Sequence, residues 1–229
     1  MLKKTKLDRG LPRAQQIYNI LKNAIILNEL MPGEPISKEQ LSELFGVSRT
    51  PISDALAKLA ESGLVDIYPQ HGTFVSKISR ERVYEGAFVR NALEVAIVKS
   101  VAENITPEQL ERLQSNLRIQ RLIVSSADFE SFYKYDNEFH ELLCSFTGYK
   151  RVGLVIENAK TQLDRTRRLM APIAGSTERA LKEHELIFDA LRKGDSLAAQ
   201  KAMTQHLNMS MKTVETVYNE NRGIFTEDE

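Results

Sequence analysis

The sequence predicts a mainly α chain in two parts: three helices closed by two short strands, then an all-helical six-helix bundle. Three observations carry this. Apolar residues recur at three- and four-residue spacing through 12–61, short β-rich runs replace that spacing over 64–77, and helical spacing returns from Ser79 onward. With 229 residues the chain is long enough for two modest domains, with boundaries expected at 1–78 and 79–229.

The first helix is predicted over 12–28. Pro12 suits a first turn, and Ile17, Ile20, Leu21, Ala24 and Ile25 form its apolar stripe. Met31-Pro32-Gly33-Glu34-Pro35 stops it. Ser37 is placed to cap a short helix ending near Phe45, and Gln40 completes a capping-box pattern. Gly46 breaks that helix. Ser48 then caps a third over 49–61, with Pro51 in the first turn and Gly63 ending it. Leu64–Tyr68 and Thr73–Lys77 are strand candidates, joined at a hairpin tip by Pro69-Gln70-His71-Gly72. Three helices and a two-stranded wing make the winged helix-turn-helix plan.

Body helices are predicted over 80–102, 107–125, 128–146, 149–170, 177–192 and 196–217. Breaks fall at Asn104–Pro107, Ser125-Ser126, Gly148, Ala171–Gly175 and Gly194-Asp195. The last ten residues, ending Glu227-Asp228-Glu229, are expected to be a loose end. A bundle of this size can enclose a pocket.

Net charge is zero but unevenly spread. Residues 1–80 carry 11 Lys+Arg against 8 Asp+Glu, and 81–229 carry 20 against 23. Lys3, Lys4, Lys6, Arg9 and Arg13 face only Asp8 in the first thirteen residues, a basic arm suited to phosphates or a solvated tail. Cys144 is the single cysteine, which excludes an intrachain disulfide and fits a buried small hydrophobe in a reducing, cytoplasmic setting. MLKKTKLDRG has no apolar run behind it, and no stretch of 18 apolar residues exists, so neither a secretion signal nor a membrane span is expected.

If 49–61 is a recognition helix, Arg49 is the arginine placed to pair with guanine O6 and N7. Ser48, Thr50 and Ser53 are sized for phosphate or base-edge contacts, and Lys58 for backbone. His71 and Gly72 sit at the wing tip, where Gly72 permits a tight turn and close approach. A winged domain used for protein contact is the competing reading.

In the body, Asp136 and His140 are four residues apart and share a helix face flanked by Phe132, Phe139 and Leu143. His184 lies on an inward stripe with Leu181, Ile187, Phe188 and Leu191, and His206 on another with Ala202, Met203 and Met209. Three imidazoles and a carboxylate suit a divalent ion, zinc or nickel first, manganese or iron also compatible. Three hydrogen-bonded core histidines are the alternative. An enzyme is not expected: Glu138 and Glu183 face away from the neighbouring histidines, leaving no clear general base, and no serine sits in an elbow motif.

Leu30–Ser37, Leu41–Leu56 and Leu59–Val65 resemble the GntR family of bacterial transcriptional regulators over roughly 11–77. The resemblance implies dimeric recognition of palindromic, double-stranded operator DNA through Arg49 and Gly72. Two positions depart from the family pattern: Ser53 and Asp54 stand where Arg-Glu is usual, implying a different or weaker operator contact. His71 replaces a basic residue often found before the wing glycine. Residues 81–217 resemble the helical effector domain of the FadR/FCD branch, in its six-helix, VanR-like subgroup. That resemblance implies metal ligation by Asp136, His140, His184 and His206. It also implies a small organic acid bound near Arg90, with Asn91 a further pocket candidate; Arg90 in a surface or intersubunit ion pair is the alternative. A homodimer, most often a repressor, with a hinge at Lys77–Arg80, completes what the resemblance implies.

Overall fold

The computed structural model describes residues 6–8, 10–126, 128–169 and 175–226. Lys3, Lys4 and Arg9 of the basic arm, the break at 171–174 and the final three residues lie outside the described residues. The chain forms two units: residues up to Arg80 together with those from Asn221 onward, and Glu81–Glu220.

The first unit contains α1 (Arg13–Ile26), α2 (Lys38–Phe45), α3 (Arg49–Glu61), β1 (Val65–Tyr68) and β2 (Gly72–Val75). Ile17, Leu21, Ala24 and Ile25 fall on one face of α1 and pack with Ile52, Leu56 and Leu59 of α3 in a single buried cluster. The Ser37 hydroxyl accepts the Gln40 amide at 3.2 Å and starts α2; Gly46, at φ 63°, ends it. β1 and β2 pair antiparallel from Val65↔Val75 to Tyr68↔Gly72. At the tip, the His71 amide donates to the Tyr68 carbonyl at 3.1 Å.

The second unit is helical throughout: α4 (Arg80–Asn104), α5 (Pro107–Ser126), α6 (Phe129–Phe146), α7 (Lys150–Ala159), α8 (Thr161–Leu169), α9 (Ser176–Arg192) and α10 (Ser196–Glu220). Thr106 and Gln109 cap α5 reciprocally, at 3.3 and 3.1 Å. α5 packs on α6 and α9, and α9 on α10, around Val98, Leu113, Phe139, Ile187, Leu191 and Ala199. No helix among the described residues is long and apolar enough to cross a membrane.

The single helix predicted over 149–170 is in fact two, α7 and α8, meeting at Lys160. No glycine or proline marks that break in the sequence. At that point α4 comes close: a Cβ at Gly86 would collide with the Ala159 carbonyl oxygen, so the backbones touch where the helix turns off. Because the obstructing atom is backbone, Gly86→Ala is expected to cost about 1–3 kcal/mol by overpacking. A denaturation midpoint equal to wild type would show that the two segments separate freely.

The expectation of a loose C-terminal end is also corrected. Arg222–Ile224 form one 3-10 turn, after which Phe225 pairs with Ile78 and is buried. Two adjacent apolar residues, Ile224 and Phe225, among polar neighbours give no periodic signal, which is why the sequence hid it.

Candidate functional site

α6 brings Asp136 and His140 to one face, α9 brings His184, and α10 brings His206. All four are buried, and one donor atom from each lies within 4.8 Å of the other three. His206 Nε2 is 3.2 Å from His140 Nε2 and 3.3 Å from His184 Nε2. The His184 ring stacks on Phe139 at 4.3 Å, which holds its plane.

The opposite ring nitrogens decide the protonation. Tyr135 O accepts from both Asn116 Nδ2 (3.1 Å) and Gln120 Nε2 (3.3 Å), so both amide groups are oriented by one carbonyl. Gln120 therefore turns its Oε1 to His184 Nδ1 at 3.0 Å, and that nitrogen carries the hydrogen. His206 Nδ1 donates to Glu183 Oε2 at 2.8 Å. His140 Nδ1 stands 2.6 Å from Glu94 Oε2, a close contact less well aligned than a full hydrogen bond. With a hydrogen on each Nδ1, three Nε2 lone pairs face one another.

Electrostatics sharpen the picture. Burial, reinforced by the neighbouring His206, pushes His184 well below its usual range. Burial and His140 push His206 down to about 3. Burial opposes ionisation of Asp136, but the Arg167 guanidinium, 2.6 Å from Oδ2, outweighs it and holds the carboxyl well below the usual range. The other oxygen, Oδ1, makes no hydrogen bond and lies 3.6 Å from His184 Nε2. Two imidazoles that burial holds neutral, the His140 ring beside them and one carboxylate oxygen thus face a common point in a buried core. That arrangement is repulsive by itself and suits a cation.

A cavity of about 430 Å³ adjoins this cluster, its polar wall including Arg90, Glu94, Asn137, His140 and Lys160. Of the four candidate ligands only His140 lines it. Asn91 is half-buried on α4 and is not among the lining residues. Arg90 is buried, and its guanidinium already meets Glu94 at 2.5 and 3.3 Å. The ion pair is thus internal to α4 rather than at a surface. Lys160 Nζ donates to Asn137 Oδ1 at 2.9 Å.

Sequence reasoning missed Glu94, Gln120, Glu183 and Arg167 as supports. Glu183 does point away from His184, as neighbouring residues on a helix must, but it reaches His206 instead. Gln120 carried a legible signal: it falls with Leu113, Asn116 and Leu117 on the buried face of α5, where a polar side chain needs a partner. Arg167 lies in a helix whose polar residues are mostly buried, with no pattern to mark it.

In the other unit, Ser48 occupies the N-cap position of α3 and its hydroxyl makes no capping bond. Arg49 and Thr50 follow in the exposed first turn, which contains no acidic residue; Ser53 is half-buried. Arg49 forms an exposed ion pair with Glu39 of α2. Lys58 is exposed and donates to Gln15 at 3.1 Å, while Arg13 opens α1 on the surface. His71 is exposed, and Gly72 has φ 118°, a conformation other residues rarely adopt.

Residues 13–75 match the family model described as bacterial regulatory proteins, gntR family, and 85–209 match the FCD domain model. The chain is 38% identical to the HTH-type transcriptional repressor RspR of Escherichia coli strain K12, with both chains covered fully. It is 31% identical to the HTH-type transcriptional repressor NanR of Cronobacter sakazakii, covering 87% of this chain and 84% of that one. Among solved structures, E. coli McbR/YncC superposes with a TM-score of 0.79 at 20% identity, covering 91% of this chain and all of that one. A transcriptional regulator GntR from Rhodococcus sp. RHA1 gives 0.77 at 23%, covering 91% of this chain and all of that one.

Proposed function

This chain belongs to the GntR family of bacterial transcriptional regulators and carries an FCD domain as its helical body, and on that premise we propose a ligand-responsive repressor that binds palindromic operator DNA as a homodimer. Its relatives are regulators rather than enzymes. The observation that supports a sensing role is the convergence of three Nε2 lone pairs and Asp136 Oδ1, with an acceptor behind every Nδ1.

In this reading Asp136, His140, His184 and His206 hold a divalent ion. Imidazole and carboxylate without thiolate favour zinc or nickel and admit manganese or iron. Gln120, Glu183 and Glu94 orient the three rings, the supporting role that metal-bound histidines require. When bound, the ion supplies a Lewis-acidic centre next to the cavity. Arg90, Lys150 and Lys160 in that wall are balanced by Glu94, Glu141 and Glu157, so the fit to a small organic acid rests on the Lewis-acidic centre and on a guanidinium able to pair with a carboxylate. An acid reaching Arg90 must exchange with Glu94, which already spans the guanidinium.

Repression is the sign carried by the names of RspR and NanR. A palindromic operator would be matched by a two-fold symmetric dimer. Exposed apolar side chains on the body, Phe88 of α4 with Leu154 and Val155 of α7, suit burial against a second copy. On DNA, Arg49 reads base edges, with Ser48, Thr50 and Ser53 beside it. Arg13, Lys58, His71 and Gly72 meet the backbone or minor groove.

The test is salt dependence of binding to DNA from the chain's own control region. Each phosphate neutralised steepens the log–log slope by about 0.9. A steep negative slope is expected, together with a preference over unrelated DNA. A flat response would favour a winged domain used for protein contact.

A further inference from the structure

The cavity beside the histidine cluster lies wholly within Glu81–Glu220, and its long walls come from α6 and α7. Asn137, His140 and Cys144 line it from α6 at three- and four-residue steps, so they form one stripe. Gly153 and Ile156 of α7, with Lys160 at its end, answer at the same spacing and run the other way. Lys160 bonds Asn137 at one end, and Gly153 stands against Cys144 at the other. The two ends differ in chemistry. Arg90, Glu94 and His140 crowd the first. At the second, the inner wall is the uncharged Cys144, Gly153 and Ile156, while Glu141, Lys150 and Glu157 are exposed and form a rim.

Gly153 is the residue without a local reason. It sits inside α7 and its φ is not in the left-handed region, so the backbone does not call for glycine. In a helix interior glycine is weaker than alanine. Nor does a neighbour exclude a side chain: a Cβ would meet only Cys144 Sγ, at 3.5 Å, an ordinary contact and unlike the backbone collision at Gly86. What glycine preserves there is open space in the cavity wall. From His140 to Cys144 the stripe advances about 6 Å, the span of about five bonds in an extended chain at roughly 1.2 Å each. We propose that this cavity takes a straight-chain carboxylic acid of hexanoate length, its head at the His140 end and its tail against Cys144 and Ile156, and that Gly153 sets the length of tail admitted. The placement of the head rests on the site reading above; the slot for the tail stands on the uncharged wall.

Calorimetric titration of zinc-loaded, full-length protein with acetate, butanoate and hexanoate tests it. Each methylene entering the slot should tighten binding about fourfold, so hexanoate should exceed acetate by more than about a hundredfold. Gly153→Leu fills the far end and should bring hexanoate to within about fourfold of acetate, with acetate itself unchanged. Gly153→Ala, which fits without displacing its neighbours, should cost hexanoate about fourfold and melt no lower than wild type, so the test holds even if leucine disturbs the fold. Equal affinities for acetate and hexanoate in wild type would overturn the slot, as would a polyhydroxylated acid of the same length binding as tightly as hexanoate. A chain-length preference unchanged in both variants would remove Gly153 from it. Metal-free protein titrated with ethanol and 1-hexanol separates the slot from the metal reading. If zinc and the acids fail to bind, 1-hexanol binding to wild type but not to Gly153→Leu still sustains the slot, and its failure to bind wild type overturns it.

Discussion

His184→Ala is expected to lose the bound divalent ion and, with it, the stabilisation that the ion confers. His184 is wholly buried and is held by both a stacked Phe139 ring and Gln120. Its Nε2 faces His206 Nε2 and Asp136 Oδ1, so its removal takes one donor from a set of four. In wild type, added zinc at a hundred times its dissociation constant should stabilise the fold by about 2.7 kcal/mol. The variant should gain nothing at that concentration, and elemental analysis should find it metal-free. Gln120 Oε1 also loses its donor, which costs about 1–3 kcal/mol without any metal. The two effects separate: the first appears only as a difference between chelated and zinc-loaded protein. An equal rise in melting temperature for variant and wild type would remove His184 from the site.

The same cluster shows how far local sequence reaches. Four-residue spacing puts Asp136 and His140 on one face of α6, and the flanking Phe132, Phe139 and Leu143 turn that face inward. The stripes around His184 and His206 turn them inward too. Helical periodicity says which way a side chain faces, not which side chains it meets. The contacts that fix the tautomers join residues 23 to 64 positions apart, such as Glu183 with His206 and Gln120 with His184. Those depend on how α4, α5, α6, α9 and α10 pack. Arg90 and Glu94 are four residues apart on one helix, but the reach of Glu94 to His140 has no local signal, because that contact bridges α4 and α6.

The split of the 149–170 helix illustrates the same boundary from the side of backbone shape. Residues 156–164 contain no glycine or proline, and Asn158, Thr161 and Asp164 weaken the helix locally without marking a stop at Lys160. The break lies where the backbone meets a glycine on another helix, seventy-three positions earlier in the chain. The strands and the caps at Ser37 and Gly46, by contrast, were legible because their determinants lie within a few residues. The winged unit is built mainly of such short-range signals; the site in the body is built mainly of long-range ones.

Arg49→Ala is expected to weaken specific operator binding by about 1–3 kcal/mol, a loss of roughly 5- to 150-fold. Arg49 begins α3 beside Ser48, whose hydroxyl is not used for capping, at a helix end that favours phosphate. Its side chain is largely exposed, and its partner Glu39 is equally so. An exposed pair of this kind contributes little to stability, so the variant should fold and melt as wild type does. The pair instead sets the cost of engaging DNA, because the guanidinium must leave Glu39 before it can meet a base. Glu39→Gln is therefore expected to bind operator at least as tightly as wild type. Lys58→Ala provides the contrast: losing a backbone contact should weaken specific and unrelated DNA alike and flatten the salt slope by about one. If Arg49→Ala behaved like Lys58→Ala, losing both kinds of DNA equally, Arg49 would be a phosphate contact and base reading would lie elsewhere on α3. Undiminished operator affinity in Arg49→Ala would remove the first turn of α3 from the interface altogether.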